Sequence, residues 1–448
     1  MNIRTVQGLG GLITGLVVVA AFAALLTKAM DTTSYNTWGA LIWGPIIIGV
    51  NIWLISLAMR KEPDKWIRRV VYIGYAAKLV GIAGRYFTIF VLYDGVGDAS
   101  RYNLYAARWY FEWRRGVFEV DNPGKFGTHN TELITTAIYT LVGPSPIVGF
   151  LVFGTMAFWG CVLIFKAFQE AVPIGDFRRY AVLIFLLPTL LFWPSSIGKE
   201  AFLLFGMGLT ALGAARFFTG RVLAGLVLLA LGLAATALIR SHLTVLLLVG
   251  LFVAQLLRPG SGTPTSALSK AVGLVVVGAA GVLAITQAAD VLGIDDLTVE
   301  GVTGQIDWAS EQTADSGGSV FEPVPLSHPL GIPAAIVTVL FRPFPWEAGN
   351  PLVAIQAMEG VFLIVLALAG WRRLAQFHKL LRVYPWITFA AVYTLAFILA
   401  FSGFANFGIV ARQRSLMIPF FLALLALPDP RKPRPATAEQ SRREFAYA

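Results

Sequence analysis

Long apolar segments recur from one end of the chain to the other, and they constrain its fold more than any other feature. A helix needs about 20 consecutive apolar residues to cross the hydrocarbon core of a bilayer. Charged residues make up only 13% of the 448 residues, whereas a soluble domain carries about 25%. The pattern predicts an all-α, polytopic integral membrane helical bundle with about 12 transmembrane helices.

The order of the apolar segments predicts the order of the spans. The first segment is interpreted as a retained span, because no small-residue cleavage site marks it as a signal peptide. Two shorter stretches, 131–142 and 331–341, predict re-entrant or interfacial helices. Residues 1–428 are predicted to form a single transmembrane domain, and 429–448 a disordered basic cytoplasmic tail. The predicted spans are 9–28, 38–59, 69–93, 145–168, 179–193, 199–216, 221–239, 242–257, 271–287, 350–371, 383–402 and 413–427.

The distribution of charge predicts the orientation of these spans. Lys and Arg concentrate at 60–69, at 371–382 and in the tail, as cytoplasmic segments do. Segment 288–330 contains no Lys or Arg but has eight acidic residues. Both termini are therefore expected in the cytoplasm of a bacterium, with loops 94–130 and 288–330 outside its cytoplasmic membrane. The net charge of +10 follows this asymmetry and does not indicate nucleic-acid binding.

Several classes of chemistry lack a signal in the sequence. The chain has one cysteine, Cys161, so no disulfide is predicted. Neither a CxxC or HExxH motif nor a nucleotide-binding Walker motif is present. No cofactor and no metal site are predicted.

Arginines lie in several short turns that the topology assigns to the outer face. An ionisable group near the hydrocarbon costs at least ~2.5 kcal/mol, so it is usually paired, hydrated or functional. Each could be an interfacial charge that reaches water. Outer arginines nevertheless oppose the positive-inside distribution, and their planar guanidinium groups match the oxygens of a phosphate. They indicate an anion site, and they are Arg240, Arg342, Arg412 and Arg414.

The turn WPSSIGKEA at 193–201 adds a second indication of an anion site. Its proline and serines can begin the next helix, whose free N–H groups attract anions. Lys199 would then be a phosphate ligand in the first helical turn. Glu200 has an ordinary explanation, because acidic residues favour a helix N-terminus. Lys78 and Arg85 lie seven residues apart on one predicted helix face, which would line a lipid-phosphate path or pair with a buried carboxylate.

Two aspartates follow the third predicted span. Asp94 and Asp98 are four residues apart and would share a face if the helix continued. A carboxylate beside a cationic site could take a proton from an attacking sugar hydroxyl. The alternative is a solvated turn, since Asp-Gly and Gly-Asp pairs mark turns. Aromatic and basic residues at 100–116 predict an amphipathic helix on the membrane surface.

These patterns resemble bacterial glycan polymerases and membrane glycosyltransferases that use polyprenyl-phosphate-linked sugars, including the O-antigen and exopolysaccharide polymerases and the wider GT-C-like class. The motifs that carry the resemblance are DGVGDASRY at 94–102, Lys199 with Glu200, Arg240 with His242, and Arg412 with Arg414.

The resemblance implies a site that transfers a sugar or oligosaccharide from a polyprenyl-(pyro)phosphate donor to a glycan acceptor at the outer face. The donor, the acceptor and membrane lipid are the implied partners, without nucleic acid. Asp98 would be the base, with Asp94, Glu200 or Glu347 as alternatives. The groups implied to bind substrate or phosphate are Lys199, Arg240, His242, Arg342, Arg412, Arg414, Arg101 and Arg85.

Two other classes remain open. A flippase or transporter of an anionic lipid-linked saccharide would have a similar basic cavity, but it needs ionisable groups along both halves of its path. Most of the charges predicted here lie at one rim, which favours an enzyme. A structural partner in an envelope complex predicts an uncharged outer groove and has the least support.

Overall fold

The computed structural model describes residues 34–118, 126–259, 320–326 and 328–431, with parts of 19–32 and 270–286. This part of the chain is helical and contains no strand. In chain order the helices are α1 Tyr35–Ala58, α2 Lys65–Phe87 with a π-helical turn Thr88–Leu92, α3 Asp98–Arg114, α4 Phe126–Val142, α5 Pro146–Ala171, α6 Phe177–Leu186, α7 Pro188–Phe192, α8 Lys199–Phe218, α9 Val222–Ile239, α10 Ser241–Leu257, α11 Gly331–Phe341, a 3₁₀ turn Pro345–Glu347, α12 Pro351–Ala369, α13 Trp371–Ala375, α14 Phe377–Leu380, α15 Pro385–Ala400 and α16 Phe407–Leu425.

Seven of the described helices are long and apolar enough to cross a membrane: α1, α2 with its π turn, α5, α8, α9, α12 and α16. The expectation of a helical, membrane-embedded chain is therefore met, but the count of about twelve spans is not confirmed. Helices α10, α11 and α15 are apolar but shorter. The predicted first span, 9–28, and the loop 288–330 lie largely outside the described residues, as does most of the tail.

The predicted span 179–193 is interrupted. Helix α6 ends at Leu186, and α7 begins at Pro188. Leu187 between them is extended, with φ −67° and ψ 126°. A proline sterically disfavours helical geometry in the residue before it and supplies no N–H to the preceding turn. Local proline chemistry thus divides a segment whose hydropathy resembles that of a continuous span.

The contacts of the chain fall into two compact units. The first contains the described residues within 1–61, 82–155 and 195–198. Within it, α3 packs against α4, and Tyr139 Oη donates to Asn103 Oδ1 at 2.7 Å. Helix α3 covers most of the helix predicted at 100–116, and the predicted position on the membrane surface stays a prediction. The apolar stretch 131–142 becomes the longer helix α4.

The second unit contains the described residues within 62–81, 156–194 and 199–448. Most of α16 is buried, and it packs against α6, α8, α12 and α15. Helices α8 and α9 pack along most of their length through glycines. A Cβ on Gly232 would lie 2.4 Å from Thr210 Oγ1. Small residues let helix backbones approach closely, as in membrane helix pairs.

Lys78 forms hydrogen bonds to the segment that precedes α8. This residue of α2 is buried, and its Nζ donates to Leu190 O at 2.9 Å and Pro194 O at 3.0 Å. The last carbonyls of a short helix such as α7 have no partner within the helix. Neither a lipid path nor a carboxylate pair, the two expectations for Lys78, describes this position. Its ammonium binds backbone carbonyls.

Candidate functional site

Three helix ends in the second unit bring charged side chains together. Glu200 lies in the first turn of α8. Arg240 is extended, with φ −148° and ψ 91°, and joins α9 to α10. Arg412 and Gln413 lie in the second turn of α16, because that helix begins at Phe407 and thus earlier than the predicted span. We call these four residues the Glu200 cluster.

The carboxylate of Glu200 is the centre of this cluster. Its Oε1 lies 3.2 Å from Arg240 Nη2 and 2.9 Å from Arg412 Nε. Its Oε2 accepts from Arg412 Nη2 at 2.9 Å. Arg412 therefore binds the carboxylate through two nitrogens, the fork geometry that distinguishes arginine from lysine. Arg240 Nη1 also donates to Gln413 Oε1.

The carboxylate of the cluster is more deeply buried than its two guanidinium groups. The Glu200 side chain is 5% exposed, whereas Arg240 is 16% and Arg412 26% exposed. Two guanidinium groups share one carboxylate, so the cluster keeps a positive charge. That charge lies on the side chains that solvent or a ligand can still reach.

Two further predicted residues adjoin the cluster. Lys199 is the first residue of α8 and is half-buried. His242 lies in the first turn of α10, also half-buried, with its ring centroid 6.2 Å from that of Phe401. It lies close enough to Arg240 and Lys199 for both charges to act on its ring. Lys199 and His242 thus adjoin Glu200 and Arg240, and what these residues bind stays a prediction.

Arg342 and Glu347 form a separate ion pair. Arg342 Nε donates to Glu347 Oε1 at 2.9 Å, and its guanidinium lies over the Phe321 ring at 4.4 Å. The amide of Phe344 donates to Glu347 Oε2 at 2.7 Å. Burial raises the pKa of Glu347, but the bonds from Arg342 and from the Phe344 amide outweigh it, so that the pKa lies below its ordinary value.

Arg414 has a different role from Arg412. Two residues apart in a helix, the two side chains point about 200° apart. Arg414 is fully buried, and its Nη1 donates to Leu340 O at 2.9 Å and Arg342 O at 3.1 Å. Its Nη2 is 3.9 Å from Glu359 Oε1. Arg414 thus joins α16 to the end of α11, and its full burial does not fit the predicted contact with a ligand phosphate.

The predicted acidic pair lies in the first unit. Asp94 has a positive φ of 47°, and Gly95 and Gly97 follow with φ of 75° and 142°. Helix α3 then begins anew at Asp98. The two carboxylates therefore do not share one helix face, although both are exposed. The glycine-rich turn that the sequence offered as an alternative is the observed structure.

Arg101 pairs with a carboxylate that sequence reasoning missed. Its Nε is 2.9 Å from Oε1 of Glu132, which α4 buries almost completely. The other oxygen of Glu132 is 3.7 Å from His129 Nδ1. Arg101 is itself exposed. Arg85, half-buried near the end of α2, also belongs to this unit.

Gln413 and Glu359 were missed as well. Gln413 lies between two predicted site arginines in the sequence ARQR, and this position could have indicated that it belongs to the same site. Glu359 lies in an apolar helix, and its Oε2 accepts from the Thr189 amide at 2.7 Å. Nothing in the local sequence points to that distant partner. Within the described ranges, no group of three or more His, Cys, Asp or Glu side chains could hold a metal ion.

No family model, curated protein or solved structure matches this chain. The resemblance to glycan polymerases therefore stays a prediction. Any assignment of function has to come from the residues of the site itself.

Proposed function

We propose that the chain is a bacterial membrane glycosyltransferase or glycan polymerase. It would transfer a sugar or oligosaccharide from a polyprenyl-(pyro)phosphate donor to a glycan acceptor at the outer face of the cytoplasmic membrane. The seven membrane-capable helices, the shorter apolar helices and the undescribed segments would together supply about twelve spans.

The observation that carries the proposal is the gathering of basic side chains around Glu200. Two arginines contact one carboxylate, and Lys199 begins the same helix. Charged groups beside apolar helices are usually paired, hydrated or functional. A lipid phosphate supplies an anion at the depth of a helix end, attached to a chain that stays in the membrane.

We assign different tasks to the members of the Glu200 cluster. Three guanidinium contacts already engage the Glu200 carboxylate, which makes it a weak base. Its task would be to position Arg240 and Arg412. The two guanidinium groups would bind the donor phosphate and stabilise the charge that grows on it as the sugar leaves. Donors held in place before the reaction need no reorganisation during it.

The general base remains a prediction from the sequence. Asp98 is exposed at the start of α3, in the first unit. Glu347 is held by Arg342, and Glu200 is held by two arginines. Asp98 would accept the proton of the attacking acceptor hydroxyl, and the released product would be polyprenyl (pyro)phosphate.

The test is a reconstitution with purified full-length protein. Proteoliposomes containing a polyprenyl-pyrophosphate-linked oligosaccharide should yield a longer glycan and released lipid pyrophosphate in equal amounts. The Arg240→Gln, Arg412→Gln double variant serves as the control for the site. A protein that elongates no lipid-linked donor from any of several saccharide classes would contradict the proposal.

A second candidate is a flippase for the same class of lipid. The specific observation in its favour is that the Glu200 carboxylate is fully engaged, so the cluster could hold a phosphate without any group free to promote chemistry. Against it, the buried charges Lys78 and Arg414 bind backbone carbonyls and do not line a path. Movement of a fluorescent lipid-linked saccharide across proteoliposomes, without glycan product, would favour the flippase.

A further inference from the structure

A small basic pocket lies at the end of α12, and none of its lining residues belongs to the Glu200 cluster. Its volume is about 230 Å³, and α13 and the chain after α16 form its walls. The charged side chains that line it are Arg372, Arg373, Asp429 and Arg431. Three arginines therefore face one aspartate.

The arginines of the pocket differ in their hydrogen-bond and ion-pair partners. Arg373 is buried, with Nη1 donating to Leu427 O at 2.5 Å and Nη2 3.1 Å from Asp176 Oδ2. Arg372 is exposed and lies over the Trp371 ring at 5.3 Å. Within the ranges that the structure describes, no carboxylate forms an ion pair with Arg372 or Arg431. The pocket thus has a fixed wall around Arg373 and two cations available to an anion.

An exposed apolar stripe on α12 leads to this pocket. Its members recur at intervals of three and four residues and so share one helix face. The last of them lines the pocket, and Trp371, 57% exposed, follows at the helix end. Exposed tryptophan and arginine at the end of a membrane-capable helix are typical of the headgroup region. The stripe consists of Ile355, Met358, Phe362, Val365 and Leu368.

We propose that the pocket binds the phosphate of an anionic phospholipid headgroup, with the acyl chains along the α12 stripe. Arg372 and Arg431 would bind the phosphate oxygens, and Arg373 would keep the wall in shape. The positive-inside distribution predicts this end of α12 at the cytoplasmic face, where anionic lipids attract basic segments. The proposal does not depend on the transferase or flippase activity of the chain.

The stripe favours a lipid over a free phosphate ion. A free ion needs only the cations, whereas a phospholipid also covers exposed apolar side chains that continue from the pocket. The volume accommodates a headgroup phosphate and little more, which places the chains outside, against α12. Both sources share the phosphate chemistry, so the experiment has to separate them.

The test compares lipid binding to the full-length protein in detergent by native mass spectrometry. The titrants are dioleoyl phosphatidylglycerol, dioleoyl phosphatidylcholine and inorganic phosphate. The pocket variant is Arg372→Gln with Arg431→Gln, and the matched control is Lys379→Gln with Arg382→Gln, which alters the same basic segment outside the pocket lining. All four side chains are exposed, so the fold should survive, and thermal melting checks this.

We expect the pocket variant to bind phosphatidylglycerol roughly thirtyfold more weakly, from the loss of two basic contacts near an anionic lipid. The control pair should change the affinity by less than about threefold, since its charges act at a distance. Phosphatidylcholine should bind the unaltered protein weakly. An equal loss in both variants would show a diffuse basic surface and overturn the proposal. So would displacement of the lipid by inorganic phosphate at millimolar concentration.

Discussion

At the residue scale, the Glu200 cluster makes the role of Arg240 testable. Arg240→Lys keeps the charge but loses the fork that reaches both Glu200 and Gln413. We expect donor binding and turnover each to fall roughly tenfold to a hundredfold, the range for a lost charge-assisted hydrogen bond. Lipid-donor affinity and initial rates in proteoliposomes measure both effects.

The matched control is Arg221→Lys. Arg221 flanks the other end of α9 and pairs with Glu170, but its side chain is 66% exposed. Exposed pairs contribute at most about 1 kcal/mol, so this change should leave binding and rate near their original values. Equal losses in both variants would indicate a general effect on α9 and remove Arg240 from the phosphate site.

Asp98 tests the predicted base. Asp98→Asn keeps the size of the side chain but cannot accept the proton, so turnover should fall by a factor of about 10² to 10⁴. Donor binding should stay largely intact, because the base acts in the transition state. Asp94→Asn tests the neighbouring alternative base, which lies in the turn before α3. Normal turnover by Asp98→Asn would move the assignment to Glu347, which Arg342 would first have to release.

The Arg342–Glu347 pair predicts a pH effect on stability. The pKa of folded Glu347 lies below its ordinary value of 4.5. The stabilisation is therefore complete above pH 4.5 and is lost as the pH falls through the lower pKa of the folded protein. Thermal melting between pH 7 and pH 3 should show the original protein losing this advantage over Glu347→Gln. A difference between the two proteins that stays constant with pH would contradict the pair as a source of stability.

The sequence identified cations at the site better than it identified their partners. Outer arginines and Lys199 stand out because they interrupt apolar sequence, and Glu200 stands beside Lys199. The partners Glu132 and Glu359 lie inside helices, where no local pattern tells which distant residue they meet. Arg414 shows the same limit, since its helical phase and not its residue type directs it to backbone carbonyls.

At the scale of elements, the start of α8 depends on a lysine from another helix. Lys78→Met removes the donor that binds Leu190 O and Pro194 O but keeps most of the length of the side chain. Two buried acceptors would lose their partner, at a cost of about 1–3 kcal/mol each. We expect a lower melting temperature in detergent and reduced turnover, because Glu200 lies in the first turn of the helix that follows.

The control for this change is Lys65→Met in the first turn of the same helix, where the side chain is exposed. It should melt close to the original protein. Unchanged melting of Lys78→Met would mean that the carbonyls find water or another donor. The end of α7 explains why this lysine is needed, since Pro194, four residues after Leu190, has no N–H to donate to the Leu190 carbonyl. Hydropathy alone could not predict the break at Leu187, although Pro188 indicated where it would fall.

At the scale of the whole molecule, composition predicted the helical class, and seven membrane-capable helices agree with it. The number of spans was harder to predict because hydropathy measures apolar length and not continuity. Helices α10, α11 and α15 are apolar yet fall short of the length of a full span. The division of the contacts into two units could not be predicted either, because it depends on contacts between residues far apart in the sequence.

The orientation of the chain in the membrane determines on which side each charged turn lies. The segment 288–330 has eight acidic residues and no Lys or Arg, whereas the tail is basic. Long loops follow this rule less strictly than short ones, so the basic segment 371–382 provides the stronger constraint. Single cysteines at Ser310→Cys and Ser441→Cys, in a Cys161→Ala background, should react with a membrane-impermeant maleimide from opposite sides of intact cells.

A third cysteine at Lys379→Cys, exposed in the basic segment beside the α12 pocket, should label from the same side as Ser441→Cys. Labelling of Ser310→Cys and Ser441→Cys from one side would remove the outer face from the proposed function. Labelling of Lys379→Cys from outside would place the α12 pocket in the outer leaflet. The negative surface potential that attracts basic segments belongs to the cytoplasmic leaflet, so this result would weaken the case for an anionic lipid. One set of three variants therefore tests the location of both anion sites, independently of any enzymatic assay.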